Sequence, residues 1–98
     1  MLYEFDFDTE GESIESAAYY VRHLIGLGRR FGREVQGAIN LILDNPSIGT
    51  PIEGDIRCVL LGTFPYSIVY SIEDQLIFVL AIAHGSRKPG YWRSRVVP

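Results

Sequence analysis

The sequence predicts an α+β domain in which an N-terminal strand and a helix hairpin precede a three-stranded antiparallel meander. In the first half of the chain, apolar residues recur at every third or fourth position, which is the period of an amphipathic helix. In the second half, β-branched and aliphatic residues form runs separated by connections short enough for hairpins. The predicted element order is therefore β-α-α-β-β-β, with the helices covering one face of the sheet.

The first strand and both helices are indicated by local patterns. Tyr3, Phe5 and Phe7 alternate with acidic residues, as in a strand with one buried face. Next, a capping-box spacing at Thr9 and Glu12 precedes an apolar helical stripe that ends near residues 26–28. A second stripe follows and stops at Asp-Asn-Pro, because proline ends a helix. So short a link between the helices predicts an antiparallel hairpin.

Three strands are predicted in the second half. Residues 46–54 contain the glycines and prolines of an irregular connection. Residues 57–61, 67–72 and 76–83 have strand composition, and both turns between them are short. These strands are expected to form the meander.

Composition indicates one small acidic domain spanning residues 1–98. The chain is 47% hydrophobic and carries a formal net charge of −3, which argues against nucleic-acid binding through its whole surface. Cys58 is the only cysteine, which excludes an internal disulfide and a cysteine-rich metal site. No metal or cofactor is expected. A single cysteine fits a reducing cytoplasm, and no apolar run approaches the ~20 residues needed to cross a bilayer, so a cytoplasmic protein without a membrane partner is expected.

A positively charged segment follows the last predicted strand. Residues 84–95 contain no acidic residue but contain His84, Arg87, Lys88, Tyr91, Trp92, Arg93 and Arg95. Arginine binds phosphates and carboxylates, histidine exchanges protons near neutral pH, and aromatic rings stack. Two interpretations stay open: a surface for an acidic or nucleic-acid partner, or a tail whose aromatic residues pack on the sheet.

Several short strings carry a family resemblance through their order and spacing. They are Asn-Pro-Ser-Ile-Gly at 45–49, Ile-Arg-Cys-Val at 56–59, Phe-Pro-Tyr-Ser-Ile-Val-Tyr at 64–70 and Leu-Ala-Ile-Ala-His-Gly-Ser-Arg-Lys-Pro-Gly-Tyr-Trp at 80–92. Together they resemble the RelE/ParE superfamily of toxins from bacterial type II toxin-antitoxin modules. The resemblance implies a growth-inhibiting toxin that a cognate antitoxin wraps and neutralises.

The superfamily divides by target, and side chains favour one branch. RelE-like toxins cut mRNA on the ribosome with lysine and arginine on the middle strands, whereas ParE-like toxins act on DNA gyrase. Here residues 58–61 read Cys-Val-Leu-Leu, and Ser67 stands where RelE-like sequences often place an arginine. An acidic chain also matches ribosomal RNA poorly. A ParE-like toxin is favoured; the alternatives are a ribosome-dependent mRNA endoribonuclease and an inactive toxin-like binding module.

The resemblance and the local chemistry together assign candidate residues. If the chain were a metal-independent endoribonuclease, its catalytic residues would be Arg87, His84 and Tyr91. The residues predicted to bind the target are Arg57, Arg87, Lys88, Trp92 and Arg93. The alternative for Arg57 is an ion pair with Asp55 or a helix acid. Arg29, Arg30 and Arg33 are interpreted as a solvated helix face, with a position near acidic residues of the antitoxin as the alternative.

An antitoxin-binding surface is predicted on the sheet. A meander with one face under helices leaves its other face and its edges partly uncovered, so an added strand or helix can dock there. Alternate strand residues Val59, Leu61, Ile68 and Tyr70 are the predicted contacts. The same surface could instead support a homodimer, and a toxin-antitoxin hetero-oligomer is equally open.

Overall fold

The computed structural model describes residues 2–5, 27–85 and 90–95. The α+β class is confirmed; the first predicted helix lies outside these residues. The elements are β1 (Leu2–Phe5), α1 (Leu27–Asp44), β2 (Thr50–Glu53), β3 (Ile56–Leu60), β4 (Tyr66–Glu73) and β5 (Leu76–His84), with 3₁₀ turns at Pro46–Ile48 and Arg93–Arg95.

The strands form one five-stranded sheet in the order β1-β5-β4-β3-β2. β1 is parallel to β5, and the other neighbours are antiparallel, so the predicted meander is present as β3, β4 and β5. The irregular connection predicted over residues 46–54 is wrong in its second half, because β2 pairs there with β3. All four β2 residues are exposed, which removes the alternating pattern that would have revealed a strand. Pro51 fits because proline is tolerated at a sheet edge.

The main core lies between α1 and one face of the sheet. Phe31, Val35, Ile39 and Ile42 are buried along one side of α1, at the spacing of an amphipathic helix. The Phe31 ring lies 5.4 Å from the Phe64 ring and 5.0 Å from the Tyr66 ring, measured between centroids. The first half of α1 is therefore held over the connection between β3 and β4.

A glutamate fixes the same end of the helix. The backbone N–H of Thr63 donates a hydrogen bond of 3.0 Å to the Glu34 carboxylate. This bond is the main reason that the pKa of Glu34 is lowered, with a further contribution from the charge of Arg30. The β3-β4 connection is thus tied to α1 by both aromatic and polar contacts.

The second face of the sheet is covered by residues 90–95, here called the C-terminal strap. Trp92 is 5% exposed and shares a buried cluster with Ile56, Val69, Leu80 and Ala81. The pairing of β4 with β5 shifts between Val69 and Tyr70, which leaves Leu80 as the extra residue of a β-bulge. Leu80 and Ala81 consequently both lie on the strap side.

Membrane-spanning helices and metal-binding clusters are both absent from the described ranges. None of the helices there has the length and apolar character needed to cross a membrane. Within the same ranges, no three His, Cys, Asp or Glu side chains lie together in a way that could hold a metal ion.

Candidate functional site

The second sheet face carries small and apolar side chains at the positions that favoured the ParE-like branch. Leu60, Ser67 and Ala83 lie in one cross-strand row, and Cys58 lies on the same face in the next row. Leu60 is 77% exposed at the end of β3. Burial raises the pKa of the Cys58 thiol, so it stays neutral near pH 7. This row offers no positive charge to a phosphate.

Arg57 is a half-buried residue whose guanidinium holds the loop before β2. Its Nη1 donates to the carbonyl of Ser47 at 3.1 Å and to that of Gly49 at 2.8 Å. The structure thus gives Arg57 backbone partners rather than Asp55. A target could use only the part of the guanidinium that these bonds leave accessible.

The Tyr70 hydroxyl also forms hydrogen bonds to the loop before β2. Its hydroxyl donates to the Pro46 carbonyl at 2.6 Å and accepts from the Gly49 N–H at 3.0 Å. A Cβ at position 49 would lie only 2.6 Å from this oxygen, so the close approach requires glycine. Burial raises the pKa of Tyr70 above its ordinary value, while the bond from Gly49 partly offsets that shift.

His84 ends β5 beside Tyr66. The two rings meet edge to face, with centroids 5.0 Å apart and an interplanar angle of 85°. His84 is half-buried, and the β3-β4 connection is bonded to the end of β5 through Gly85, whose N–H donates to the Pro65 carbonyl at 2.9 Å. Arg87 and Lys88, predicted for catalysis or target binding, lie outside the described residues.

The arginines and aromatic residues of the C-terminal strap contact the sheet and one another. Arg93 forms an ion pair with Glu53, and its guanidinium carbon lies 5.4 Å from the centre of the Trp92 ring. Arg95 donates to the Leu80 carbonyl at 2.8 Å and lies 5.2 Å from the centre of the half-buried Tyr91 ring. Trp92 therefore packs in the core, and neither Arg93 nor Arg95 is held out into solvent alone.

The antitoxin-binding prediction needs a correction. Leu61, Ile68 and Tyr70 were expected to lack a cover, but they are 7%, 0% and 0% exposed in the core beneath α1. Val59 packs against the same core and is half-buried. A spacing of two correctly places residues on a common face, but it does not tell which face the helix covers.

An exposed apolar patch lies beside these residues instead. The Ile48-Leu60 patch lines a cleft of about 430 Å³ and consists of Ile48, Thr50, Cys58, Val59 and Leu60. Ile48 is 47% exposed and Leu60 is 77% exposed. Sequence reasoning missed Leu60 because it assigned the alternate residues of β3 to the open face. The patch adjoins β2, an edge strand.

Charge is segregated along the sheet. Arg29, Arg30 and Arg33 are exposed on the first half of α1, which lies over the β3-β4 connection. Glu53, Asp55 and Glu73 line a cleft of about 520 Å³ near the turns at the other end of the strands, together with Arg93. The described surface is therefore basic at one end and acidic at the other.

Comparison with known proteins identifies relatives by sequence and by fold. Residues 12–89 match the family model described as ParE toxin of type II toxin-antitoxin system, parDE. A chain of the chromosomal ParDE TA system from P. aeruginosa superposes with a TM-score of 0.62 at 21% identity, covering 85% of this chain and 92% of that chain. The isolated E. coli RelE toxin gives a TM-score of 0.62 at 19% identity, covering 96% of this chain and 94% of that chain. No curated protein sequence matches. At these identities the structural likeness concerns the fold, which both branches share.

Proposed function

We propose that this chain, which belongs to the ParE family of toxins from type II toxin-antitoxin systems, arrests bacterial growth by acting on DNA gyrase in the cytoplasm. Family membership confirms the RelE/ParE superfamily expected from the sequence. The observation that carries the choice of gyrase over mRNA is the row formed by Leu60, Ser67 and Ala83 with neighbouring Cys58.

The absence of charge from that row bears on the choice because a metal-free ribonuclease requires charged and titratable groups around the phosphate. It needs a base for the 2′-hydroxyl, cations for the developing phosphorane charge and an acid for the leaving oxygen. Losing a single preorganised electrostatic donor typically costs about 10²–10³ in rate. Among the described residues, Arg57 and Arg95 donate to backbone carbonyls, and the row itself is neutral. This arrangement supports a toxin that works by binding rather than by cutting RNA.

The proposal is tested by two assays on one preparation of purified protein. We expect inhibition of gyrase-catalysed supercoiling and no codon-dependent cutting of mRNA on ribosomes. His84→Gln serves as the matched variant, because it removes the candidate base and should leave supercoiling inhibition at the wild-type level.

Two outcomes would contradict the proposal. Cutting of mRNA in the ribosomal A site that disappears in His84→Gln or Arg87→Ala would place the chain among the ribonucleases. Unimpeded bacterial growth when the protein is well expressed alone would instead favour an inactive binding module.

We further propose that the cognate antitoxin covers the Ile48-Leu60 patch. The ParDE system that shares this fold pairs a toxin with an antitoxin. The patch joins apolar side chains to β2, which is an edge strand of the sheet formed by the described residues, so an antitoxin segment could bury Leu60 while pairing with β2. Of the predicted contacts, Val59 belongs to this surface.

Leu60→Asp is expected to weaken antitoxin binding by about 30-fold, because a buried interface anchor contributes about 2 kcal/mol. Titration calorimetry with the product of the adjacent gene measures this change. Leu41→Asp is the control, since Leu41 is 52% exposed on α1 and does not line the cleft of the patch. Equal loss in both variants, or none in Leu60→Asp, would exclude the patch; size-exclusion chromatography without antitoxin would reveal a homodimer.

A further inference from the structure

The exposed side of α1 carries a line of hydrogen-bond donors. Arg29, Arg33, Gln36 and Asn40 are all exposed and recur at three or four residues, which places them along one side of the helix, with Arg30 beside them. The line extends about 16 Å at the helical rise of 1.5 Å per residue. The Gln36 Nε2 donates to Asn40 Oδ1 at 3.0 Å, which orders the far end of the line.

The fold makes little use of the three arginines near the start of α1, beyond the lowering of the Glu34 pKa by the charge of Arg30. Within the described residues, Arg29, Arg30 and Arg33 form no ion pair or hydrogen bond. The first turn of α1 contains no acidic residue and the last turn contains no basic one. Arg29 and Arg30 lie in the first turn, where a cation opposes the helix dipole. A role outside the fold would explain why three of them occur together.

The chemistry of this side of α1 favours a nucleic-acid partner over a protein one. The buried core of a protein interface is about 65% apolar, whereas the line of donors is polar along its length, as is typical of the more polar and more positively charged interfaces with DNA. An added Cβ at Gly32 or Gly37 would meet nothing within 4 Å, so the helix backbone is accessible to a partner at these two positions. Arginine also binds phosphate oxygens with two parallel hydrogen bonds.

The charge distribution gives such a contact one orientation. The arginines lie near the β3-β4 connection, because Phe31 contacts Phe64. The acidic residues Glu53 and Glu73 lie near the turns at the opposite end of the strands. A chain with a net charge of −3 would therefore meet a polyanion with its α1 end first, with its acidic turns directed away.

We propose that Arg29, Arg30 and Arg33 on α1 bind the phosphate backbone of duplex DNA. DNA carries one negative charge per about 1.7 Å of axis, so several phosphates lie within reach of the line. The DNA contact stands on the residues of α1. The further step, that the toxin makes this contact with DNA bound to gyrase, rests on the proposed function.

The test is binding of the purified wild-type protein to a fluorescent duplex of about 20 base pairs, measured by anisotropy over a range of salt concentrations. We expect log K to fall with log salt by about 0.9 per phosphate contacted. In the triple variant Arg29→Gln/Arg30→Gln/Arg33→Gln, affinity at low salt should fall about tenfold or more, and each lost arginine should reduce the salt slope by about 1.

Two controls separate the contact from net charge and from folding. The single variant Arg33→Gln should reduce the salt slope by about 1. Gln75→Glu changes the net charge by the same amount but lies exposed in the turn at the acidic end, and it should bind DNA within about twofold of wild type. The triple variant should melt at the wild-type temperature or above, because it removes cations that oppose the helix dipole. If it melts lower, the triple Arg→Lys variant, which keeps the charges, should retain the wild-type salt slope.

Two results would overturn the proposal: no salt-dependent DNA binding by the wild type, or equal DNA binding by the triple glutamine variant. Failure of the gyrase proposal has a different signature. In that case the wild type would leave supercoiling unaffected yet still bind DNA through α1. Conversely, undiminished supercoiling inhibition in a triple variant that has lost DNA binding would remove the DNA contact from the mechanism on gyrase.

Discussion

Trp92→Ala is expected to lower the free energy of unfolding by about 3–5 kcal/mol, the usual cost of truncating a buried large aromatic residue. The Trp92 side chain is 5% exposed and lies in the cluster with Val69, Leu80 and Ala81. Its removal would leave a cavity and loosen the strap over the second sheet face. Because small domains are stable by only about 5–15 kcal/mol, this loss should be plain as a lower urea midpoint.

Arg93→Gln is the control within the same strap. It breaks the ion pair with Glu53, whose two side chains are 56% and 49% exposed. Exposed pairs contribute only about 0–1 kcal/mol, so this variant should unfold close to the wild-type midpoint. If Trp92→Ala cost no more than Arg93→Gln, the strap would not be part of the core.

Tyr70→Phe is expected to lower the free energy of unfolding by about 1–3 kcal/mol. The change removes one hydroxyl and leaves two backbone groups, the Pro46 carbonyl and the Gly49 N–H, without their partner. The aromatic ring and its packing are kept, so the loss reports on the hydrogen bonds. Urea unfolding of the two proteins at pH 7 measures it.

The stability difference between wild type and Tyr70→Phe should also depend on pH. Burial raises the pKa of Tyr70 above the ordinary value of 10.0, so the folded protein holds this proton more tightly than the unfolded chain does. The resulting stability is fully present below pH 10 and is lost as pH rises through the folded pKa. The stability difference between wild type and Tyr70→Phe should therefore shrink above about pH 10. A difference that is absent at pH 7, or that grows at high pH, would contradict the role given to this hydroxyl.

The fold could be predicted where the sequence pattern matches the pattern of burial. β4 and β5 are buried along most of their length, so their apolar runs were visible, and the predicted strands agree with the observed bounds to within one residue. β2 was missed because an exposed edge strand with Pro51 has no apolar period. The bulge at Leu80 was also hidden, since an apolar run looks the same with or without an extra residue.

The candidate site was harder to predict because its contacts are distant in sequence. Arg93 meets Glu53 across forty residues, and neither side chain carries a local signal of the other. One of the two interpretations of the C-terminal segment was that its aromatic residues pack on the sheet, and Trp92 does so. The arginines of α1 are interpreted from the sequence as a solvated helix face, and the structure adds that they form no ion pair within the described residues.

The most direct test of the central claim, that this toxin acts on gyrase and does not cut RNA, is the gyrase cleavage-complex assay. Supercoiled plasmid is incubated with gyrase and purified toxin, the protein is digested, and the linear DNA left by trapped double-strand breaks is quantified. Action on gyrase predicts linear DNA that increases with toxin concentration and requires gyrase. Absence of linear DNA at every concentration, with A-site mRNA cutting by the same preparation, would contradict the account.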